Sequence, residues 1–256
     1  MVFQITNYCE MECPHCMSVC STKGIHATLN TIEQMCIFAK KYNPKTVLIS
    51  GGEPTQHPDF IDYFEIILKE LYNRCAVILA SNGDFLFKNK IRDNLIKLNK
   101  EFLFAIQISS IKGLYKRTSS TQKLFKKYKR KFKMMGLIEE ITVIDQLGRA
   151  TGKDWSKFTT YKRKAPNCFN LLSCAYSPIT NSFRDVIFQI HNKNACKPFI
   201  TPEGNIHVGE SHFCHKIGTI WDNDPTLYNN IKKVEPCGKC GAPIDQFKLL
   251  KSAYGI

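Results

Sequence analysis

Acidic residues are the scarce charge in this chain: 22 Asp and Glu stand against 36 Lys and Arg in 256 residues, for a formal charge of +14. Such an excess raises the question of a polyanionic partner, but the RNP, helix-turn-helix and zinc-finger patterns of nucleic-acid binders are missing. Much of the surplus is Lys123, Lys126, Lys127, Lys129, Lys131 and Lys133, interleaved with Leu124, Phe125, Tyr128 and Phe132. That spacing predicts an amphipathic helix with a solvated basic face. Long apolar runs are missing as well, since no stretch reaches the roughly 18 residues of a membrane span. Residues 1–8 lack the basic and apolar blocks of a secretion signal. A cytoplasmic protein is expected, with cysteines present as reduced thiols rather than disulfides.

Cysteine, by contrast, is plentiful at 12 residues. Cys9, Cys13 and Cys16 fall within Cys-Glu-Met-Glu-Cys-Pro-His-Cys, with His15 just before the last of them. Thiolates are soft ligands, and three in one short loop can wrap a small metal centre without long-range folding. A structural zinc site closes with four ligands and a cubane has four irons, so three thiols leave one coordination position open.

The rest of the chain alternates strand and helix signals. Residues 2–6 read as a strand leading into the cysteine loop, and Asn30-Thr31-Ile32-Glu33 reads as a helix start. Thr46-Val-Leu-Ile-Ser50 reads as a strand buried on both faces, followed at once by Gly51-Gly52-Glu53-Pro54. Two glycines allow close backbone approach to a ligand, and the carboxylate beside them can accept from an ammonium group. Phe60, Phe64, Ile67 and Leu71 make the stripe of a second helix. Cys75-Ala-Val-Ile-Leu-Ala80 is a third strand ending in Ser81-Asn82-Gly83, and Leu95, Ile96 and Leu98 lie in a third helix. A fourth strand at 102–108 carries Gln107 and leads to Ser109. Ile141-Thr-Val-Ile144 is expected as the fifth strand, before Gly148-Arg149-Ala150, and Asp185-Val-Ile-Phe-Gln-Ile190 as the sixth. Cys168 and Cys174 lie in a stretch without clear period and are read first as core thiols, with substrate-facing hydrogen donors and spare ligands as the alternatives.

After about residue 191 the pattern changes to short strands, turns and cysteine. Residues 199–201 and 206–208 flank Pro202-Glu-Gly-Asn205 as a hairpin. Cys196 precedes it, Cys214 follows it, and Cys237-Gly-Lys-Cys240 supplies a close pair. Four such thiols suit a [4Fe–4S] cluster or zinc. His207, His212 and His215 lie in the same segment, outside this ligand set.

Taken together, Cys-x3-Cys-x2-Cys, Gly51-Gly52-Glu53-Pro54, Ser81-Asn82-Gly83 and Gly148-Arg149-Ala150 resemble the radical S-adenosylmethionine (SAM) enzymes. The resemblance implies a [4Fe–4S] cluster on Cys9, Cys13 and Cys16 whose open iron chelates SAM, with reductive cleavage giving a 5′-deoxyadenosyl radical that abstracts hydrogen from a substrate. It further implies SAM contacts from His15, Gly51, Gly52, Glu53, Pro54, Ser81 and Asn82, with Gln107 and Ser109 toward ribose or carboxylate, and Gly148 and Arg149 beside the adenosine. The family's usual acidic residue near 107–109 is missing. Cys196-x12-Gly209-x4-Cys214 resembles the opening of the SPASM and twitch extensions, and the single closing pair matches the shorter twitch type. That implies an auxiliary [4Fe–4S] cluster on Cys196, Cys214, Cys237 and Cys240, relaying an electron from the substrate radical.

The expected fold is therefore α/β: a partial (β/α)6 TIM-like barrel over residues 1–190, with a small hairpin and helix auxiliary-cluster domain over 191–256. The expected partners are SAM, a reductant such as flavodoxin or ferredoxin, and a small-molecule or peptide substrate, with no membrane. No peptide-binding extension is expected before the cysteine loop, so a peptide would require another recognition surface or a separate partner. Two rival functions are modification of a nucleotide or nucleic acid, motivated by the charge, and a non-catalytic iron–sulfur or zinc module. The latter leaves Gly51 to Pro54 and Gly148 to Ala150 without a role.

Overall fold

The computed structural model describes residues 1–110, 118–132, 137–141, 144, 147–158, 174–177, 181–193, 197–209, 212–235, 248 and 252. Among the described residues eight strands are present: β1 (Val2–Gln4), β2 (Thr46–Ser50), β3 (Ala76–Ser81), β4 (Phe104–Ser110), β5 (Leu137–Ile141), β6 (Pro198–Ile200), β7 (Asn205–Val208) and β8 (His215–Thr219). They form one sheet in the order β5-β4-β3-β2-β1-β6-β7-β8. The first six run parallel, and β7 and β8 are antiparallel additions at one edge. Helices α1 (Leu29–Tyr42), α2 (Phe60–Leu71), α3 (Asn89–Glu101) and α4 (Thr118–Lys129) connect successive strands, while α5 (Phe183–Lys193) and α6 (Asp224–Lys232) come later. This is the expected α/β, partial TIM-like barrel.

Strands β2 and β3 are built from alternating residues, buried on the helix-facing side and half-buried on the other. Phe3, Val47, Ile49, Val77, Leu79, Phe104 and Ile106 are buried in one apolar core with Ile32, Phe64, Ile67 and Leu95 of the helices. On the other face, Leu48, Ser50, Ile78, Ala80 and Gln107 are only half-buried. This corrects the expectation that β2 is buried on both sides: its second face belongs to an accessible concavity. Core burial of this kind contributes about 1.5–3 kcal/mol per large side chain, so the helix-facing residues hold the sheet and the other face is left available for chemistry.

Further expectations change. The strand paired with β4 is Leu137–Ile141, from Ile106↔Leu137 to Ser110↔Ile141; of the expected strand at 141–144, residues 142 and 143 lie outside the described residues. Residues 185–190 lie in helix α5, not a strand. The Ser182 hydroxyl accepts from the Asp185 backbone N–H at 3.3 Å and donates to its carboxylate at 2.9 Å. With Phe183, Val186 and Ile187 all buried at helical spacing, a cap and a helix stripe outweigh the β-branched run. The sixth parallel strand is instead β6, which lies beside β1 rather than beyond β5. β6 is also the first arm of the expected hairpin: it pairs with β7 through a turn at Gly204, whose φ is 79°. One sheet thus crosses the 190/191 division. Helix α1 begins two residues early, capped by Thr28, whose side chain accepts from the Thr31 N–H at 3.3 Å. Cys174 is fully buried in the core as expected; Cys168 lies outside the described residues. Among the described residues no helix is long and apolar enough to cross a membrane.

Candidate functional site

The cysteine loop follows β1 and is tied down at both ends. Asn7 N–H donates to Ile25 at 2.8 Å, Cys9 N–H to Ser21 at 3.0 Å, and Ser21 N–H back to Asn7 at 3.2 Å. Glu12, at a φ of 43°, turns its carboxylate to accept from the Thr22 N–H at 2.9 Å and hydroxyl at 3.2 Å. These bonds use the polar residues between the cysteines to shape the loop, leaving the thiols for other work.

Gly51-Gly52-Glu53-Pro54 packs against this loop. Gly52 N–H donates to the Thr6 carbonyl at 2.7 Å and Glu53 N–H to the Tyr8 carbonyl at 2.9 Å. A Cβ at Gly52 would lie 2.1 Å from the Tyr8 oxygen and 2.9 Å from the Cys9 Cβ. The glycine is therefore required for strand β2 to reach the cysteine loop. Glu53 is completely buried, and its carboxylate accepts from Thr55 N–H (3.2 Å), Thr55 hydroxyl (2.6 Å), Ser81 hydroxyl (2.8 Å) and Asn82 N–H (2.7 Å). Burial pushes its pKa above the ordinary carboxylate value, while these four bonds pull the other way. In this arrangement Glu53 joins the ends of β2 and β3.

Arg149 closes the loop from the opposite side. Gly148 adopts a φ of 60°, and a Cβ there would meet the Met17 oxygen at 2.2 Å. The Arg149 N–H donates to the Cys16 carbonyl at 3.0 Å, and its guanidinium donates to the carbonyls of Cys13 (3.2 Å) and Cys20. Behind it, Trp155 Nε1 donates to the Ala150 carbonyl at 2.9 Å and packs edge-on against His15, with ring centroids 6.4 Å apart. One residue thus fixes three backbone carbonyls of a loop that bears thiols, two through its guanidinium and one through its backbone N–H.

The result is a cavity of about 250 Å³ at the C-terminal ends of β1 to β4, lined by Cys9, Cys13, Cys16, Gly52, Asn82 and Ser109 among others. Of the residues singled out from the sequence, His15, Gly51 and Ser81 also line it, while Glu53, Pro54, Gln107, Gly148 and Arg149 do not. Gln107 is a neighbour of Ala80 in the β3/β4 register, one step below Ser109 on the same face. Cys20 lines the cavity too. It was legible as Cys16-x3-Cys20, a continuation of the loop's cysteine spacing, and sequence reasoning passed over it.

The thiols differ in character. Burial is the main cause that pushes Cys9 up to about 12 and Cys13 up to about 11. Cys16 is drawn below the ordinary thiol range, chiefly by a hydrogen bond from the Cys20 side chain, and the same bond drives Cys20 upward. Among the described residues, no three His, Cys, Asp or Glu side chains converge closely enough to hold a metal ion. The donor set nevertheless fits a thiolate-bound group: three soft ligands face one cavity, on a loop whose backbone is fixed from outside. The cavity wall also contains Asn82 Nδ2, a buried donor with no acceptor among the described residues, as suits a wall that meets a ligand.

Of the second cysteine set, Cys214 is half-buried, and Cys196, Cys237 and Cys240 lie outside the described residues. Gly209 faces Cys214 so closely that a Cβ would sit 2.1 Å from its sulfur. Gly209 N–H donates to Lys197 at 3.2 Å, and His207 Nδ1 lies 2.9 Å from the Cys214 carbonyl. The hairpin therefore brings Cys214 back beside the start of β6.

Comparison with known proteins bears on the family and the fold. An S-adenosylmethionine-dependent nucleotide dehydratase from a Thermoplasmatales archaeon (strain ISO4-H5) is 28% identical over 78 residues, 30% of this chain and 27% of that protein. The matched region is thus about a quarter of that relative's length. In structure, the chain is similar to anSMEcpe, solved with bound AdoMet and a Cp18Cys peptide, at a TM-score of 0.53 and 15% identity over 91% of this chain and 80% of that one. The structure of Streptococcus suis SuiB bound to its precursor peptide SuiA matches at a TM-score of 0.42 and 18% identity over 94% and 69%. The family model of the radical SAM superfamily matches residues 3–137, more than half of the sequence, and the chain belongs to that superfamily.

Proposed function

We propose that this chain cleaves SAM reductively and uses the resulting radical to abstract hydrogen from a small molecule or peptide. The observation that carries the reading is the single cavity in which Cys9, Cys13 and Cys16 face Gly51, Gly52, Asn82 and Ser109. A [4Fe–4S] cluster on the three thiols, with SAM at its open iron, would supply the electron that splits SAM into methionine and a 5′-deoxyadenosyl radical. The protein's share is positional. Gly51 and Gly52 keep backbone rather than side chain at the wall, Asn82 Nδ2 offers an unused donor, and Ser109 offers a hydroxyl above Gln107. Arg149 fixes the loop that carries the ligands, and Glu53 fixes the junction of β2 and β3 rather than projecting into the cavity.

Residues 1–190 serve as the SAM-binding core, and 191–256 as a twitch-type segment whose Cys196, Cys214, Cys237 and Cys240 hold an auxiliary [4Fe–4S] cluster. Support for the second site is the placement of Cys214 against Gly209, together with the cysteine spacing. Electrons would come from a flavodoxin or ferredoxin, in the reducing cytoplasm that such thiols need. A nucleotide is the second substrate reading, favoured by the stretch similar to a nucleotide dehydratase and by the basic α4.

Anaerobic reconstitution with iron and sulfide counting tests the proposal. About eight irons per chain are expected, falling to about four in Cys13→Ala and in Cys237→Ala alike. A chain that binds stoichiometric zinc and no sulfide would contradict it.

A further inference from the structure

We propose that Cys20 is the redox partner of Cys16, and that oxidation joins their sulfurs in a disulfide that withdraws Cys16 from the loop's donor set. The Cys20 backbone N–H donates to the Cys16 sulfur at 3.4 Å, and both cysteines line the same cavity. Val19, at a φ of 52°, folds the chain back so that residues four apart meet outside any helix. Cys20 is held in place on every side. It is 2% exposed, Gln4 Nε2 lies 3.7 Å from its sulfur, its own S–H reaches the Ser18 carbonyl at 3.6 Å, and Arg149 binds its carbonyl. Cys16 is only half-buried and opens on the cavity. This is the arrangement of an accessible attacking thiol with a buried resolving thiol. Ligands of separate irons in one cluster would instead be spread around it, so the Cys16 and Cys20 contact serves sulfur chemistry rather than shared ligation.

The reaction balances with a small exogenous disulfide such as oxidised glutathione as the oxidant. The Cys16 thiolate attacks one of its sulfurs and expels a glutathione thiolate, giving a mixed disulfide. The Cys20 thiolate then attacks the Cys16 sulfur and expels the second glutathione. Two protein thiols lose two hydrogens and two electrons, and one small disulfide becomes two thiols. The consequence rests on the proposed cluster site: with Cys16 tied up, only Cys9 and Cys13 remain, and the loop accepts iron only after a thiol reductant has acted.

Cleavage chemistry makes the test specific. Met11, Met17 and Met35 divide the region so that cyanogen bromide yields fragments 12–17, with Cys13 and Cys16, and 18–35, with Cys20 as its only cysteine. Iron-free full-length chain is treated with oxidised glutathione, free thiols are alkylated, and the fragments are weighed. The two fragments should travel as one species until reduced, without bound glutathione. In Cys20→Ser they should separate, with glutathione retained on fragment 12–17. Alkylated Cys20 in the oxidised wild type would overturn the inference, as would a link that survives in Cys16→Ser, since Cys13 would then be the partner. Reduced Cys20→Ser should take up as much iron and sulfide as the reduced wild type; a loss of iron would make Cys20 a ligand and also overturn it. A wild type that forms the link yet takes up no iron when reduced upholds the inference and removes the cluster reading instead.

Discussion

Gly52 carries the most direct residue-scale consequence. Its missing Cβ is what lets Glu53 and Gly52 bond to the carbonyls of Tyr8 and Thr6, and an alanine must displace backbone 2.1 Å away. Gly52→Ala is expected to cost about 2 kcal/mol or more and to lower iron uptake by the N-terminal loop, measured by denaturant melts and iron counting. Arg149→Met removes guanidinium bonds to two carbonyls while keeping length. It should cost about 2 kcal/mol and loosen the cysteine loop, seen as faster amide exchange at residues 13–20 with the sheet unchanged. A histidine effect is legible in pH dependence. Burial lowers the pKa of His15, His207 and His212 below the ordinary value near 6.5. The unfolded chain then binds more protons than the folded one as pH falls from about 6.5. Stability is therefore fully present above that value and declines below it, and His207→Gln should flatten the decline in denaturant midpoints measured from about pH 7 to about pH 5.

Among the elements, α5 shows which signals win. Its cap is a pair of Ser182 and Asp185 bonds, and Phe183 is fully buried against the rings of Phe38 and Tyr42, 6.3 and 5.1 Å away. Ser182→Ala should cost about 1 kcal/mol and Phe183→Ala about 3–5 kcal/mol in chemical unfolding, a ratio expected of a packed helix and not of an edge strand. The same element explains what was legible. Strands β2 and β3 and helices α2 and α3 were readable because periodicity, glycine turns and capping agreed. Residues 185–190 misled because Val186-Ile187-Phe188 is β-rich locally while Ser182 and Asp185 lie just outside the apolar run. The pairing of 137–141 with β4 was not read because Leu137-Ile-Glu-Glu-Ile141 carries two charges and little β-propensity, while the register is set by β4. The position of β6 beside β1 has no local signature, since strand order is decided by packing over nearly 200 residues. At the site, the three thiols, Gly51, Gly52, Asn82 and Ser109 were readable as motifs. The clamp by Arg149, the internal role of Glu53 and the Cys16 to Cys20 contact are three-dimensional facts that motif reading assigned elsewhere or missed.

For the molecule as a whole, the sheet divides labour between its faces: apolar residues lock helices to one, and the other, with the strand ends, offers thiols, hydroxyls and amides. The basic surplus is peripheral to that division. On α4, Phe125 and Tyr128 are buried while Lys123, Lys126, Lys127 and Lys129 face solvent, as an amphipathic helix requires. If that face bound a polyanion, retention on nucleic acid would fall steeply with salt; SAM cleavage itself should not depend on it. The central claim is that the cavity at Cys9, Cys13 and Cys16 binds and cleaves SAM. The reconstituted chain, kept anaerobic and given dithionite and SAM, should release 5′-deoxyadenosine and methionine in equal amounts by quantitative mass spectrometry, and Cys13→Ala should release neither. Equal release from both proteins, or none from a wild type shown to carry the N-terminal cluster, would contradict the account.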